Sequence, residues 1–207
     1  MKLIALIADI VKSREIKDRD KFQKDLETQL KRINKERRDL LSPYTLTLGD
    51  EFQAVYGKAD TLFDDIWKIR MELHPQKVRV ALGIGRLTTP INQRRAIGMD
   101  GPAFHHARSG IAELKKSSRL IKIEGEGIPY LNFVNNSLYL ISQSSMGWTK
   151  NRFHVLSRLL KGWTPKKIAS DLDISAVAVY KNIKVGSLDV IIDMQREISN
   201  MLNKELA

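Results

Sequence analysis

The stretch TLTLGDEFQAVYG, from Thr45 to Gly57, decides the fold. Two runs that alternate apolar and polar residues, as β-strands do, flank a Gly49-Asp50 pair that is typical of a tight hairpin turn. A second acidic residue, Glu51, follows at once. A solvated turn would accept many polar residues, whereas a metal site would require a carboxylate here and a second one nearby in space. The hairpin therefore raises the question of which other carboxylate the fold brings to it.

The segments on either side of the hairpin predict alternating strands and helices. Apolar residues at period two or in a continuous run indicate strands, and apolar residues three or four positions apart indicate amphipathic helices. The predicted elements are a strand at Leu3–Val11, a helix at Asp20–Leu41 ended by Pro43, strands at Tyr44–Leu48 and Phe52–Tyr56, a helix at Ala59–Leu73, a strand at Val78–Ile84, a loop at Thr88–Ile97, a helix from Gly101 to about Lys116, and a strand at Arg119–Ile123. The first six elements follow the ferredoxin-like order, so the predicted fold class is α/β, of the α+β kind.

This order predicts a candidate metal site at Asp9 and Asp50. In a ferredoxin-like sheet the first strand lies centrally beside the third, which brings the end of the first strand close to the hairpin. Paired carboxylates suit Mg²⁺ or Mn²⁺ held against the phosphates of a nucleoside triphosphate. The backbone through Ser13 would offer N–H groups to those phosphates, and Lys12 would add a charge. The alternative is structural: Asp9 caps its strand, and Asp50 merely suits a turn.

These residues also carry a family resemblance. LIADIV and TLGDEFQAVYG resemble the class III nucleotide cyclases, and RVALGIGRL and GPAFHHAR resemble a later strand and helix of that family. The likeness covers about residues 1–124 and extends to the diguanylate cyclases and other palm domains. It implies a nucleotide-cyclase-type palm domain in which Asp9 and Asp50 match the metal-binding aspartates. Arg108 matches the arginine that stabilises charge on the transferring phosphate, and this arginine completes the partner's site, which implies a homodimer.

The sequence departs from the cyclase pattern where the base is read. Leu46 stands where that family has a base-reading lysine, and Ile97 and Gly98 occupy the region of its aspartate partner. Phe104 or His105, depending on the register, replaces the transition-state asparagine. Ordinary synthesis of cAMP or cGMP is therefore not expected. A different nucleotide, another phosphoryl reaction and a sensor without turnover all remain open.

The pattern changes to all-helical after the last predicted strand. Helices are predicted at Leu131–Ser145, Trp148–Leu160, Ile168–Leu172, Ala176–Lys184 and Ser187–Leu202. Thr164-Pro165 is a typical N-cap and first-turn pair, and Ser175 would cap the helix after it. We therefore predict a cyclase-like palm domain at residues 1–128, a linker helix at 129–147 and a helical domain at 148–207. The last helix would offer an apolar surface for dimerisation.

The segment GWTPKKIASDLDISAVAVYKNI, Gly162–Ile183, predicts a helix-turn-helix. It resembles the helix-turn-helices of response regulators and sigma-type proteins. Val177 and Tyr180 or Ile183 are expected to anchor the second helix. The residues expected to face DNA are Lys166, Lys167 and Lys181 at phosphates, with Ser175, Ala176, Ala178, Val179, Asn182 and Lys184 also on the outer face. The alternative is a small helical bundle for protein contacts or dimerisation.

Composition narrows the possible functions. The net charge of +11 favours a polyanionic partner, although the excess is spread along the chain. The chain contains no cysteine, which excludes disulfides and thiolate catalysis and fits a cytoplasmic protein. No apolar run is long enough to predict a membrane-spanning helix.

By its whole-chain arrangement the sequence is most similar to the SatD family. The prediction is a cytoplasmic DNA-binding regulatory protein whose cyclase-like domain serves as a sensor or dimerisation module. The alternative is a divergent nucleotidyl cyclase or transferase whose helical tail serves dimerisation.

Overall fold

The computed structural model of the protein describes residues 1–36 and 39–207. Within them one five-stranded sheet is combined with eight α-helices, which confirms the predicted α+β class. The strands are β1 (Leu3–Ile10), β2 (Leu40–Leu48), β3 (Glu51–Tyr56), β4 (Val78–Gly85) and β5 (Ile121–Gly125). The helices are α1 (Arg19–Glu36), α2 (Leu62–Glu72), α3 (Pro102–Lys115), α4 (Leu131–Ser144), α5 (Lys150–Leu159), α6 (Pro165–Leu172), α7 (Ala176–Gly186) and α8 (Leu188–Leu206). A single 3₁₀ turn, Ser13–Glu15, follows β1.

The strand order is β2-β3-β1-β4-β5, so β1 is central and lies beside β3, as predicted. β1 is antiparallel to both neighbours, whereas β5 runs parallel to β4. The register places Asp9 of β1 opposite Glu51 on one side and opposite Arg79 on the other. The end of the central strand is therefore flanked by charged residues from both neighbouring strands.

Helices cover both faces of the sheet, and every residue of β1 is buried. The even-numbered residues Ile4, Leu6, Ala8 and Ile10 pack in one core with α1, α2 and α8. The odd-numbered residues Leu3, Ala5 and Ile7 pack in a second core with α3. Successive side chains of a strand alternate between faces, so Asp9 continues the odd series and projects toward α3.

A glycine of β4 allows α3 to lie directly on the sheet. A Cβ added to Gly83 would lie 2.0 Å from the carbonyl oxygen of Ala103 and 2.4 Å from the amide nitrogen of Ala107. No side chain fits in that space, so glycine is required for this close approach. The approach places the C-terminal end of α3 over the strand ends that carry Asp9 and Arg79.

The predicted first helix was too long. α1 ends at Glu36, and Leu40, Leu41 and Pro43 belong to β2 rather than to a helix and its terminator. Positions 37 and 38 of the predicted helix lie outside the described residues. β2 is an edge strand, and its pairing with β3 shifts register between Ser42 and Thr45, so it accommodates a proline.

The last helix packs on the sheet. Ile198, Leu202 and Leu206 of α8 belong to the same core as the even-numbered residues of β1. The side-chain oxygen of Asn203 also accepts a hydrogen bond of 2.7 Å from the backbone N–H of Ala59. The apolar stripe of α8 that carries these three residues is therefore covered within the chain. The domain boundaries at 128 and 148 remain predictions.

An aromatic junction joins α2 to the C-terminal helices. The rings of Trp67 and Trp148 are stacked with centroids 5.3 Å apart, and the Trp67 indole donates to the Gln195 side chain at 2.7 Å. Arg70 lies over the Trp67 ring and donates to the hydroxyl of Ser145 at 2.8 Å. Burial lowers the pKa of Arg70 to about 10. Its charge lies in the last turn of α2 and bonds the residue that caps the end of α4, where helix dipoles favour a cation.

No helix among residues 1–36 and 39–207 has the length and apolarity needed to cross a bilayer.

Truncation of Leu202 tests whether α8 stabilises the sheet. Leu202→Ala should lower the free energy of unfolding by about 2–5 kcal/mol, because the side chain is fully buried and its removal leaves a cavity. Val190→Ala, at an exposed position of the same helix, should change it by less than about 0.5 kcal/mol. Urea unfolding followed by circular dichroism measures both. Equal effects of the two variants would contradict this packing.

Candidate functional site

The structure brings acidic residues from two segments to one end of the central strand. The backbone N–H of Ile10 donates to the carbonyl oxygen of Asp50 at 3.1 Å, which holds the hairpin turn against the end of β1. Asp9 is directly opposite Glu51, so these two side chains project from the same face of the sheet. Asp9, Asp50 and Glu51 thus lie at the same end of the sheet, and these three residues are here called the carboxylate edge. The sequence shows Glu51 beside Asp50, but only Asp9 and Asp50 were predicted as metal ligands.

The Asp9 carboxylate is engaged by two cations. Arg79 Nη1 lies 2.8 Å from Oδ2, and Lys115 Nζ lies 3.3 Å from Oδ1. Asp9 and Arg79 are largely buried, whereas 48% of the Lys115 side chain is exposed. A buried carboxylate is costly unless it is paired, and these contacts meet that need. Neither cation was predicted to act at this site. Arg79 is the one charged residue in VRVALGIG, but its pairing with Asp9 depends on strand register.

Of Lys12 and Ser13, the two residues after β1 that were predicted at the nucleotide site, only Ser13 contacts the carboxylate edge. The buried Ser13 donates its hydroxyl to Asp50 Oδ2. Lys12 adopts a left-handed backbone conformation with φ of 56°. Its ammonium pairs with Glu15 at 3.1 Å and is exposed. The structure therefore places Ser13 at the carboxylate edge and directs Lys12 toward Glu15.

Arg108, which was predicted to act with Asp9 and Asp50, lies away from the carboxylate edge. It is exposed on α3, about two turns and about 10 Å before Lys115 along the helix axis. Its charge acts on Asp100 at the start of that helix. The pKa of Asp100 is lowered by a hydrogen bond from the Gly101 N–H, then by His105, and to a smaller extent by Arg108. Within one chain Arg108 therefore does not reach Asp9.

The positions that depart from the cyclase pattern have structural roles. Phe104 is 1% exposed and belongs to the core beneath α3, so its side chain is inaccessible to a ligand. His105 is exposed and lies 2.9 Å from a carboxylate oxygen of Asp100. Leu46 packs against the sheet core. None of the three supplies the group that the cyclase pattern has at that position.

A divalent ion at the carboxylate edge would compete with the two cations that contact Asp9. Mg²⁺ and Mn²⁺ are bound by carboxylate and water oxygens, and both oxygens of Asp9 hold cations. In the part of the chain that the structure describes, no group of three or more His, Asp or Glu side chains is placed to hold a metal. A divalent ion at Asp9 would first have to displace Lys115, which is the more exposed of the two cations.

The C-terminal part places two short helices around a tight turn. α6 and α7 are separated by residues 173–175, and the turn contains Asp173 in a left-handed conformation with φ of 51°. The hydroxyl of Thr164 accepts from the N–H of Lys167, and that of Ser175 accepts from the N–H of Ala178 at 3.1 Å. Both predicted N-caps are therefore present. They fix where each helix begins.

The orientation of α7 differs from the prediction. Val177 and Tyr180, predicted to anchor the helix, are 76% and 60% exposed. Val179, predicted to lie outside, is buried together with Gly186. Positions 179, 183 and 186 share one stripe of a helix with 3.6 residues per turn, and this stripe packs inward. The sequence of α7 did not reveal its inner stripe because valines occur on both sides.

The candidate DNA-binding residues fall into two groups. Lys166, Lys167, Lys181 and Lys184 are exposed, and the ammonium of Lys167 lies 4.1 Å from the centre of the Trp163 ring. Ser175 and Asn182 are engaged within the helix, because Ser175 caps it and the Asn182 amide donates to the carbonyl of Ala178 at 2.9 Å. The lysines are therefore available to a partner, whereas the two predicted base-reading side chains are occupied.

Comparison with known proteins identifies the family. A sequence model described as the SatD family matches residues 3–202. The chain belongs to the SatD family. The match spans both the sheet and the C-terminal helices, so the family model includes both parts of the chain. A comparison with curated proteins finds no match.

The Lys115 contact makes a testable prediction about metal binding to this SatD-family chain. If Lys115 competes with a divalent ion for Asp9, Lys115→Ala should bind Mn²⁺ with a nucleoside triphosphate more tightly than the wild type does. At about 100 times the dissociation constant the ligand would stabilise the native state by about 2.7 kcal/mol. Differential scanning fluorimetry should then record a rise in melting temperature of roughly 5–10 °C.

The neighbouring Lys116→Ala removes the same charge and is the matched control, because Lys116 is exposed after the end of α3. Adding Asp50→Asn to the Lys115→Ala variant should abolish the rise. Similar shifts in the two lysine variants, or no shift in either, would show that Lys115 does not guard a metal site.

Proposed function

We propose that this SatD-family protein is a cytoplasmic DNA-binding regulatory protein that reads the major groove with α7. One observation carries the proposal: α7 presents an exposed face with Lys181 and Lys184 and contains no acidic residue. A helix that approaches the DNA backbone needs positive charge and tolerates few carboxylates. The resemblance to response-regulator helix-turn-helices supports the same use of this segment.

The arrangement of α6 and α7 supports this function. A helix-turn-helix places its second helix in the groove while the first crosses the backbone. Lys166 and Lys167 lie in the first turn of α6 and are exposed, so they are suited to contact phosphates beside the groove. The four exposed lysines on these two helices favour a polyanionic partner over the alternative of a protein-binding bundle.

We propose that the sheet part acts as a sensor for a nucleotide. The supporting observation is the carboxylate edge, where Asp50 is held against the end of β1 and Ser13 bonds its carboxylate. Mg²⁺ or Mn²⁺ would enter there only after Lys115 moves away from Asp9. Phosphoryl chemistry by a divergent cyclase or transferase is the second candidate, and the same edge favours it. The two cations on Asp9 and the buried Phe104 weigh against turnover.

We also propose that the protein forms a homodimer. Helix-turn-helix proteins bind two half-sites as dimers, and Arg108 is exposed as a residue that completes a partner's site would be. The stripe of α8 that packs on the sheet does not contribute to this proposal.

Sedimentation velocity should show a dimer at tens of micromolar, a concentration range above the dissociation constants of many specific complexes. Arg108→Ala should leave that dimer intact, because an exposed arginine reaching into a site contributes little to a dimer interface. A monomer across this concentration range would contradict the homodimer.

Salt dependence tests the DNA contacts. The wild-type protein should bind mixed genomic duplex fragments at about 50 mM salt, and its affinity should fall steeply toward 200 mM. Lys181→Ala should weaken binding to all sequences about equally and lower the slope of log affinity against log salt by about 1. Fluorescence anisotropy titrations measure both quantities.

Lys204→Ala is the control, because this exposed lysine lies at the end of α8 that packs beside Ala59. It should leave the slope unchanged. Failure of the folded wild-type protein to bind any fragment at about 50 mM salt, where phosphate contacts are strong, would assign the C-terminal helices to protein contacts instead.

A further inference from the structure

Three apolar side chains project from α7 toward solvent. The exposed fractions are 76% for Val177, 60% for Tyr180 and 60% for Val185. Single exposed apolar residues are ordinary, but here they share one face of a helix with Lys181 and Lys184. At about 100° per residue, all five positions fall within an arc of about 140°. This outer face of α7 is therefore both apolar and basic.

The outer face offers few hydrogen-bonding groups to the edge of a base. α7 contains no Arg, Gln or acidic residue, and its one asparagine, Asn182, donates to the carbonyl of Ala178 and lies about 60° outside the arc of the outer face. The Ser175 hydroxyl is engaged as the N-cap. Bidentate recognition of adenine by an amide, or of guanine by a guanidinium, is therefore not available to this helix. Apolar contact is the form of base readout that remains beside the lysines.

We infer that Val177 and Tyr180 read DNA by contacting the C5-methyl groups of thymines in the major groove. This inference rests on the proposed DNA-binding function and names its ligand chemistry. Among the four bases only thymine presents a methyl group in that groove, and apolar side chains recognise it by contact. Val177 and Tyr180 lie in the first turn and a half of α7, the end of a recognition helix that reaches the bases.

Val185 is also an exposed apolar side chain, but it lies near the C-terminal end of α7. It lies eight residues beyond Val177, which is about 12 Å farther along the helix axis. A recognition helix contacts base edges with its N-terminal residues, so Val185 is outside the region of base contact. It therefore serves as a matched control for the loss of an exposed apolar side chain.

Replacement of thymine by deoxyuridine tests the inference. The tightest-binding duplex from a genomic pool is synthesised in two forms, one with thymine and one with deoxyuridine throughout. The second form keeps the base pairs and phosphates and lacks only the methyl groups. The full-length wild-type protein should bind the deoxyuridine form more weakly, by about fourfold for each methyl group that it buries.

The variants show which side chains carry the effect. In Val177→Ala and Tyr180→Ala the ratio of affinities for the two duplexes should fall toward one, while Val185→Ala should keep the wild-type ratio. Circular dichroism should confirm that all three remain folded, since each substitution removes an exposed side chain. Equal wild-type affinity for both duplexes would overturn the inference and leave DNA binding intact.

Two further outcomes would also overturn it. A wild-type preference for thymine that persists in Val177→Ala and in Tyr180→Ala would mean that DNA shape, and not these side chains, carries the effect. Absence of binding to either duplex at about 50 mM salt would overturn the inference together with the proposed DNA-binding function.

Discussion

The burial of β1 on both faces is the constraint on which the rest of the structure depends. All eight of its residues are buried, and they alternate between a core that contains α1, α2 and α8 and a core that contains α3. A strand covered on both faces must be apolar almost throughout, so its one acidic residue can lie only near an end. Asp9 occupies that position, and alternation directs it toward α3.

The chemistry of the carboxylate edge follows from this placement. A largely buried carboxylate needs a compensating charge, and both a divalent ion and a pair of basic side chains could supply it. Here Arg79 and Lys115 supply it, the first from the strand paired with β1 and the second from the helix that Gly83 allows onto the sheet. The two partners differ in exposure. Arg79 is fixed within the sheet, whereas Lys115 retains access to water and is the one that a competing cation would displace.

The aromatic junction connects the sheet to the helix that is proposed to bind DNA. Trp67 of α2 stacks on Trp148, and the Arg152 guanidinium lies 6.0 Å from the Trp148 ring centre. Arg152 in turn packs against the end of α7, where a Cβ added to Gly186 would lie 2.7 Å from its side chain. Packed side chains therefore connect α2 with the end of α7.

The sequence by itself determined the features that depend on local spacing. Alternation and helical periodicity predicted the order of strands and helices, the central position of β1, the turn at Asp50 and the N-caps at Thr164 and Ser175. These features depend on residues a few positions apart, so a single sequence contains their signal. The sequence also predicted that Asp9 and Asp50 lie close together, because the strand order places the end of β1 beside the hairpin turn.

Tertiary structure decided what depends on which surface covers which. Leu40 and Leu41 suited a helix as well as a strand, and pairing with β3 made them part of β2. The valines of α7 occur on both of its sides, so only packing against α5 and α6 selected Val179 as buried and left Val177 exposed. The ion pairs of Asp9 depend on strand register and on the approach of α3. Periodicity shows that a surface is apolar, but only the folded chain determines its partner, because that partner is distant in sequence.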